Sequence, residues 1–273
     1  VIVCYAQGGG LGHLTRIRAY LHTVHADRPA TVLTTSPFAA DPRVLGPHRL
    51  LRFSGPIGPV LRDLRPETLV VDAFPAGIDG ELAVLPAGIV TVHLARLLRW
   101  DAYRPLSGLS RFAQTWTLEE LDPEHQAHLA RRSAALAPLS LIDPAPPEPA
   151  GIADGTWLIP HAGPATEIEE LVSYARECAA LEGRRPPLVL ASPHRPPGLP
   201  ADVEHLDVYP VWPLFASAER VVSAAGFNVV RQMRPWRAKH RMLPFPRRWD
   251  DQFTRAARAR REITGSGGGR EDR

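Results

Sequence analysis

Short apolar runs alternate with longer amphipathic stretches along the whole chain. That alternation is the signature of strand–helix–strand units, whose strands can be buried only in parallel sheets covered by helices. In the first half the pattern predicts strands at Val1–Ala6, Thr31–Thr35, Leu50–Phe53, Leu69–Asp72, Ile89–His93 and Leu139–Asp143, with helices over His13–His25 and Leu118–Leu136. In the second half it predicts strands at Thr156–Pro160, Leu188–Ala191, Arg220–Ser223 and Arg241–Leu243. Helices are expected there over Thr166–Glu182, Phe227–Met233 and Asp250–Ile263, the first opened by a capping box of Thr166 and Glu169. Between the halves lies Asp143–Ala150 (DPAPPEPA), too rich in proline for a central strand. The expected organisation is therefore an α/β domain over 1–145, a proline-rich linker at 146–154, a second α/β domain over 155–263 and a flexible tail at 264–273 (TGSGGGREDR).

Composition narrows the function classes. The 273 residues carry 44% hydrophobic side chains, but no stretch approaches the ~20 uninterrupted apolar residues of a membrane helix, so no integral membrane segment is expected. Two cysteines, Cys4 and Cys178, cannot form a disulfide framework or a four-thiolate zinc site and read as thiols in a reducing, cytoplasmic setting. A net charge of +3, and no aromatic stacking platform among the arginines of 231–261, argue against a nucleic-acid partner. The many Arg, Ala and Pro residues, beside a single lysine, point to a high-GC bacterial genome. The chain opens directly on a strand, so no signal peptide is expected, and the missing Met points to residues lost upstream. His22 with His25 and His125 with His128 have helical ligand spacing but no third ligand nearby; they are expected to face solvent, with no metal site.

The most informative segment is Gln7–Arg16 (QGGGLGHLTR), where a strand ends, glycines turn the backbone and a helix begins. Free amide groups and a positive helix end surround a site that an anion can approach. It is not a dinucleotide fingerprint: counted from Gly8 the third glycine position is His13, and counted from Gly10 it is Thr15. A phosphate-binding P-loop also fails, because the only lysine is Lys239. What remains is a glycine loop that delivers His13 to the first turn of a helix, where imidazole can serve as a general base or a phosphate donor.

Gly9–Arg16 (GGLGHLTR) resembles the glycine-rich opening of GT-B glycosyltransferases, most closely the bacterial "predicted glycosyltransferase" group with its G-x-G-H-x-x-R signature, and more loosely the N-acetylglucosaminyltransferase that makes lipid II. Val70–Leu82 (VVDAFPAGIDGEL) is similar to the Asp-x-x-Pro-x-Gly…Glu-Leu stretch of the bacterial group. Tyr209–Gln232 and Leu243–Ala256 resemble its nucleotide-sugar segment. The resemblance implies a GT-B architecture: two Rossmann-like domains with parallel sheets facing across a cleft. It also implies metal-independent transfer of a sugar from a nucleoside-diphosphate donor, UDP-linked by expectation, to a hydroxyl of a sugar, lipid or natural product, with no cofactor.

On the same resemblance His13 is the catalytic base, and Gly10, Gly12, Arg16 and Asp72 lie on the acceptor side. His161, Gly163, Ser223, Gly226, Asn228, Gln232, Asp251 and Gln252 hold the nucleotide sugar. Gln232 stands where the family carries a carboxylate for the ribose, and the chain ends soon after Ile263, where GT-B proteins commonly add a further helix. Two alternatives follow: a catalytically weak or inactive GT-B protein that binds a nucleotide or sugar, and a sugar-nucleotide epimerase. The expected location is the cytoplasm, with peripheral attachment to the inner membrane if the acceptor is a lipid.

Overall fold

The computed structural model describes residues 1–108, 111–146 and 151–265, the last three as backbone. They form two compact units, Val1–Ala145 together with Arg248–Asp250, and Pro146–Arg247 with the residues from Asp251 onward. Each is a helix-flanked parallel sheet.

In the first unit the strands are β1 (Ile2–Tyr5), β2 (Thr31–Leu33), β3 (Arg49–Leu51), β4 (Thr68–Asp72), β5 (Val90–Ala95), β6 (Phe112–Thr117) and β7 (Ser133–Pro138). The helices are α1 (Leu11–His25), α2 (Pro42–Leu45), α3 (Ile57–Leu64), α4 (Trp100–Tyr103) and α5 (Pro123–Arg132). The sheet order is β3-β2-β1-β4-β5-β6-β7, every pairing parallel. Val3, Tyr5, Leu33, Leu69, Val71 and Phe112 pack on one face with Ile57 and Leu61 of α3. On α1, Leu14, Ile17 and Leu21 repeat at three- and four-residue spacing and are buried, as an amphipathic helix on a sheet requires.

In the second unit β8 (Trp157–Pro160), β9 (Leu188–Ala191), β10 (Val203–Leu206), β11 (Arg220–Ser223) and β12 (His240–Met242) alternate with α6 (Ala165–Leu181), α7 (Phe227–Gln232) and α8 (Gln252–Gly265). The order is β10-β9-β8-β11-β12, again all parallel. β8 is buried on both faces: Trp157 and Ile159 join the core under α6, and Leu158 joins the opposite core with Leu214, Phe215 and Val221.

Strand order reverses beside β1 in the first sheet and beside β8 in the second. In open parallel sheets that reversal parts the loops at the carboxyl ends of the strands and leaves a crevice for ligands. The loops after β1 and β4, and after β8 and β11, are therefore the candidate site loops of their units.

Several expectations are corrected. The helix expected over Leu118–Leu136 is only Pro123–Arg132, capped by Asp122, whose Oδ1 accepts from the N–H groups of Glu124 and His125 at 2.9 and 3.2 Å. Ser133–Pro138 is instead the edge strand β7, and the strand expected at Leu139–Asp143 is absent from that span. Ala134, Ala135 and Leu136 favour a helix locally, but pairing with β6 overrides that preference. Strands β6 and β10 were not foreseen. α6 starts at Ala165 with Pro164 as its N-cap and no side-chain cap, so Thr166 and Glu169 form no capping box.

The first unit also takes in Arg248–Asp250: the Arg99 N–H donates to the Trp249 carbonyl at 2.7 Å, Trp249 meets Tyr103 edge to face at 5.4 Å, and Arg96 pairs with Asp250. α8 extends through Gly265, so the tail expected from Thr264 begins as helix, and 266–273 lie outside the described residues, as do linker positions 147–150. Among the described residues no helix is long and apolar enough to cross a membrane.

Candidate active site

After β1, the chain runs through Ala6, whose N–H donates to the Leu33 carbonyl at 3.0 Å, and Gln7, whose Oε1 accepts from the N–H and Oγ1 of Thr35 at 3.2 and 2.8 Å. Gly8 follows at φ +142°, and a Cβ there would stand 2.5 Å from both Cδ2 and Nε2 of His13. The glycine backbone thus passes directly beneath the imidazole. α1 opens from Gly10, and His13 is its third residue.

The His13 Nδ1 lies 2.6 Å from Oδ2 of Asp72, the last residue of β4. One helical turn on, Arg16 grips both oxygens of the same carboxylate: Nε donates to Oδ1, and Nη2 donates to Oδ2 at 2.6 Å. The Asp72 side chain is fully buried, that of Arg16 is 3% exposed and that of His13 is 12% exposed. Only the histidine can meet a ligand. Burial alone pushes the Asp72 carboxyl up, but Arg16 and His13 outweigh it and hold its pKa far below the usual carboxylate range. Burial lowers the His13 pKa, and Arg16 and Arg96 add to that against the pull of Asp72, so the imidazole is neutral. An ionised carboxylate can only accept, so Nδ1 carries the hydrogen and Nε2 presents its lone pair over Gly8.

The loop after β4 is tied down closely. Phe74 brings its ring to 5.5 Å from that of His13. The Tyr103 hydroxyl accepts from the Ala76 N–H at 3.0 Å and donates to the Gly77 carbonyl at 2.7 Å. Glu81 accepts from the N–H groups of Ile78 and Asp79 at 3.0 and 2.7 Å and from the Tyr5 hydroxyl. Gly77 is required here, since a Cβ would fall 2.3 Å from the Glu81 carboxyl carbon.

In the second unit His161 follows β8, and its Nε2 is 2.9 Å from Oε2 of Glu167 in the first turn of α6. Arg247 donates from Nη1 and Nη2 to the two Glu167 oxygens, each at 2.5 Å, and lies over the Phe245 ring. Burial raises the Glu167 pKa, but His161 and Arg247 reverse this and bring it down to about 2. Gly163 closes the turn: a Cβ would stand 2.4 Å from the His161 Nε2. After β11, Gly226 is the N-cap of α7, with Asn228 and Gln232 half-buried on that helix.

The structure thus brings His13, Arg16 and Asp72 into one cluster, although Asp72 is 59 positions from His13. It also corrects the expected roles. Arg16 and Asp72 do not line an acceptor surface; they stand buried behind His13 and set its charge and orientation. Ser223 is fully buried, its hydroxyl engaged by the Ala224 carbonyl and by His240 Nε2, each at 2.8 Å, and cannot reach a nucleotide. Gln252 is 4% exposed and its Oε1 accepts from the Phe245 N–H at 3.1 Å, which holds the loop ahead of α8. Asp251 caps α8, its Oδ1 accepting from the Thr254 N–H at 3.0 Å. Gly10 has no side chain within 4 Å of its Cβ position, and Gly12 is exposed on the first turn of α1.

His125 does not face solvent: it is fully buried and stacked on Trp100 at 4.2 Å. Among the described residues no three His, Cys, Asp or Glu side chains are grouped to hold a metal. Gly8, Glu167 and Arg247 were missed as site residues. The sequence signal for Gly8 was its place beside His13 in the glycine run; Glu167 and Arg247 lie 80 positions apart and carry none.

No family model matches the chain, and no curated protein matches it in sequence. Solved structures do match. The glycotransferase of kitacinnamycin aligns over 97% of this chain and 84% of its own, with a TM-score of 0.59 at 13% identity. The glycosyltransferase SsfS6 of Streptomyces sp. SF2575, complexed with thymidine diphosphate, aligns over 97% and 86%, with a TM-score of 0.59 at 10% identity. The spinosyn rhamnosyltransferase SpnG, also complexed with thymidine diphosphate, aligns over 98% and 85%, with a TM-score of 0.54 at 16% identity. The fold is that of the GT-B glycosyltransferases, two Rossmann-like units each built on a parallel sheet.

Proposed function

From a GT-B fold whose first sheet sets a histidine–aspartate pair at its switch point, we propose that this chain is a glycosyltransferase that moves a sugar from a nucleoside-diphosphate donor to a hydroxyl acceptor. The observation that carries this reading is the neutral His13, held through Nδ1 by Asp72 and open at Nε2 above Gly8. Nε2 removes the proton of the acceptor hydroxyl as its oxygen bonds to the anomeric carbon. The bond from that carbon to the diphosphate oxygen breaks, and its electron pair leaves with the nucleoside diphosphate. A single displacement of this kind inverts the anomeric centre. Asp72 stabilises the imidazolium that forms, and Arg16 keeps Asp72 ionised throughout.

For the donor, the turn His161–Pro164 at the start of α6 supports a diphosphate subsite. The His161 ring stands beside this turn, paired through Nε2 with Glu167, and a larger residue than Gly163 would crowd it. The donor base is uracil or thymine: uracil follows from the family resemblance, and two structural neighbours were solved with thymidine diphosphate. Transfer in this reading uses no metal or cofactor. The resemblance of Gly9–Arg16 and Val70–Leu82 to the bacterial "predicted glycosyltransferase" group supports assignment to that group, with a sugar, lipid or natural-product acceptor. Free Cys4 and Cys178 fit a cytoplasmic location.

Calorimetric titration with UDP, dTDP and GDP tests the donor half. Micromolar binding of one diphosphate, lost in His161→Ala and Gly226→Trp, is the expected result; binding by none of the three overturns the reading. A second reading, a GT-B protein that binds a nucleotide without transferring its sugar, is favoured by Gln232 at the carboxylate position and by the buried Ser223 and Gln252. It predicts diphosphate binding with no turnover of the sugar nucleotide under any acceptor.

A further inference from the structure

The residue after Asp72 is Ala73, and it sits at φ +65°, a left-handed conformation that costs any residue with a Cβ. Both of its backbone groups are tied to β5. Its N–H donates to the Leu94 carbonyl at 3.0 Å, and its carbonyl accepts from His93 Nε2 at 3.2 Å. In the parallel register Val71 lies opposite His93 and Asp72 opposite Leu94, so His93 reaches across one position to catch the turn as it leaves the strand. The turn has two consequences at the site. It closes β4 directly behind Asp72, the partner of His13, and it returns the Phe74 N–H to the Asp72 carbonyl at 2.8 Å, with the Phe74 ring beside the imidazole.

His93 is an unusual choice for an interior strand position. It is fully buried, its ring stacks on Phe112 at 4.9 Å, and its Nδ1 has no hydrogen-bond partner among the described residues. An apolar ring would fill the same space without stranding a nitrogen. What an apolar ring cannot do is hold the Ala73 carbonyl.

We propose that His93 is a positioning residue for the His13–Asp72 pair: its Nε2–H anchors the left-handed turn at Ala73 and so fixes the carboxylate that orients the base. The catalytic consequence rests on the reading given under Proposed function; the positioning itself does not. Burial brings the His93 pKa down to about 4, which keeps the ring neutral at physiological pH. The charged or titratable groups that act on His93 are Asp72 from β4 and His125 and His128 from α5; those around His13 are Asp72, Arg16 and Arg96.

The experiment is nitrogen-15 NMR of histidine-labelled full-length protein, which reads each imidazole's tautomer without substrate. In the wild type, His93 should appear as the Nε2–H form and His13 as the Nδ1–H form. His93 in the Nδ1–H form overturns the proposal outright, whether or not any variant folds. In His93→Phe, which keeps the ring on Phe112 but removes the donor, His13 should become a mixture of tautomers. His93→Gln, whose amide N–H can reach the same carbonyl, should restore the single form. An unchanged His13 spectrum in a folded His93→Phe protein overturns the proposal. Where the wild type transfers sugar, His93→Phe should lower kcat at least tenfold with nucleoside-diphosphate affinity unchanged, and His93→Gln should recover most of it. A wild type that transfers no sugar sinks the functional reading and leaves the NMR result standing.

Discussion

Replacing Arg16 by methionine isolates what the buried cation does. Methionine fills the volume of the arginine stem, so the loss is chiefly electrostatic. Two charge-assisted hydrogen bonds to Asp72 disappear, from Nε to Oδ1 and from Nη2 to Oδ2. At about 1.5–3 kcal/mol each they total roughly 3–6 kcal/mol. That matches the ~3–5 kcal/mol expected when one partner of a buried ion pair is removed and the other charge is stranded. With a urea dependence of about 2 kcal/mol per molar, the midpoint of the first unit's unfolding should fall by about 1.5–2.5 M.

The same change acts on the base. Arg16 repels a proton on His13 and shares the carboxylate that would attract one, so its loss raises the His13 pKa. The acid limb of the pH–rate profile should therefore move to higher pH, while Asp72→Asn, which removes the attraction, should move the imidazole pKa lower. Urea titration followed by tryptophan fluorescence and NMR titration of His13 provide both readouts. A midpoint shift below about 0.3 M, or a His13 pKa that stays put, would refute the claim that Arg16 and Asp72 form one closed buried pair.

Gly8→Ala should leave the protein folded but push His13 off its seat, since the added Cβ meets the ring at 2.5 Å; transfer should drop about 100-fold or more. Gly9→Ala, with nothing within 4 Å, should be silent by the same assay. Gly163→Ala, whose Cβ lies 2.4 Å from His161 Nε2 and 3.0 Å from Glu167 Oε2, should weaken nucleoside-diphosphate binding about tenfold by calorimetry, the loss of roughly one charge-assisted hydrogen bond. Acid should destabilise the first unit early. Burial depresses the pKa of His93 to about 4 and of His125 to about 3, below the ~6.5 of the unfolded chain, so the unfolded state alone takes up these protons as pH falls through 6.5. Each should remove up to about 2 kcal/mol by pH 5, read as a falling midpoint in urea; a flat profile between pH 7 and 5 would contradict the burial of these rings. His125→Phe keeps the stack on Trp100 and removes two nitrogens that lack partners among the described residues, so it should raise stability by about 1–3 kcal/mol and make that slope shallower.

The sequence alone determined the fold class and showed the glycine turn and histidine with which the candidate site opens. Strand and helix periods are local properties, so the run from Val1 through the glycine turn to His13 could be read without a partner in view, and so could the doubled α/β pattern split by prolines. The boundary at Leu118–Leu136 failed for the matching reason: Ala134–Ala137 has helical character by itself and becomes strand only because β6 offers it a ladder. The site's other residues were decided by topology. Asp72 meets His13 because β4 lies beside β1, an adjacency set by the crossover connections and not by any spacing in the chain. Arg16 lies on the buried face of α1 and not on a surface, because an ionised Asp72 waits there to compensate its charge. Ser223 and Gln252 carry polar groups that looked available for a ligand. Folding satisfied the serine hydroxyl through a histidine of the next strand and the glutamine's Oε1 through the backbone of its own loop. A buried polar group must find a hydrogen-bond partner, and only the tertiary structure decides whether that partner is a substrate or the protein itself.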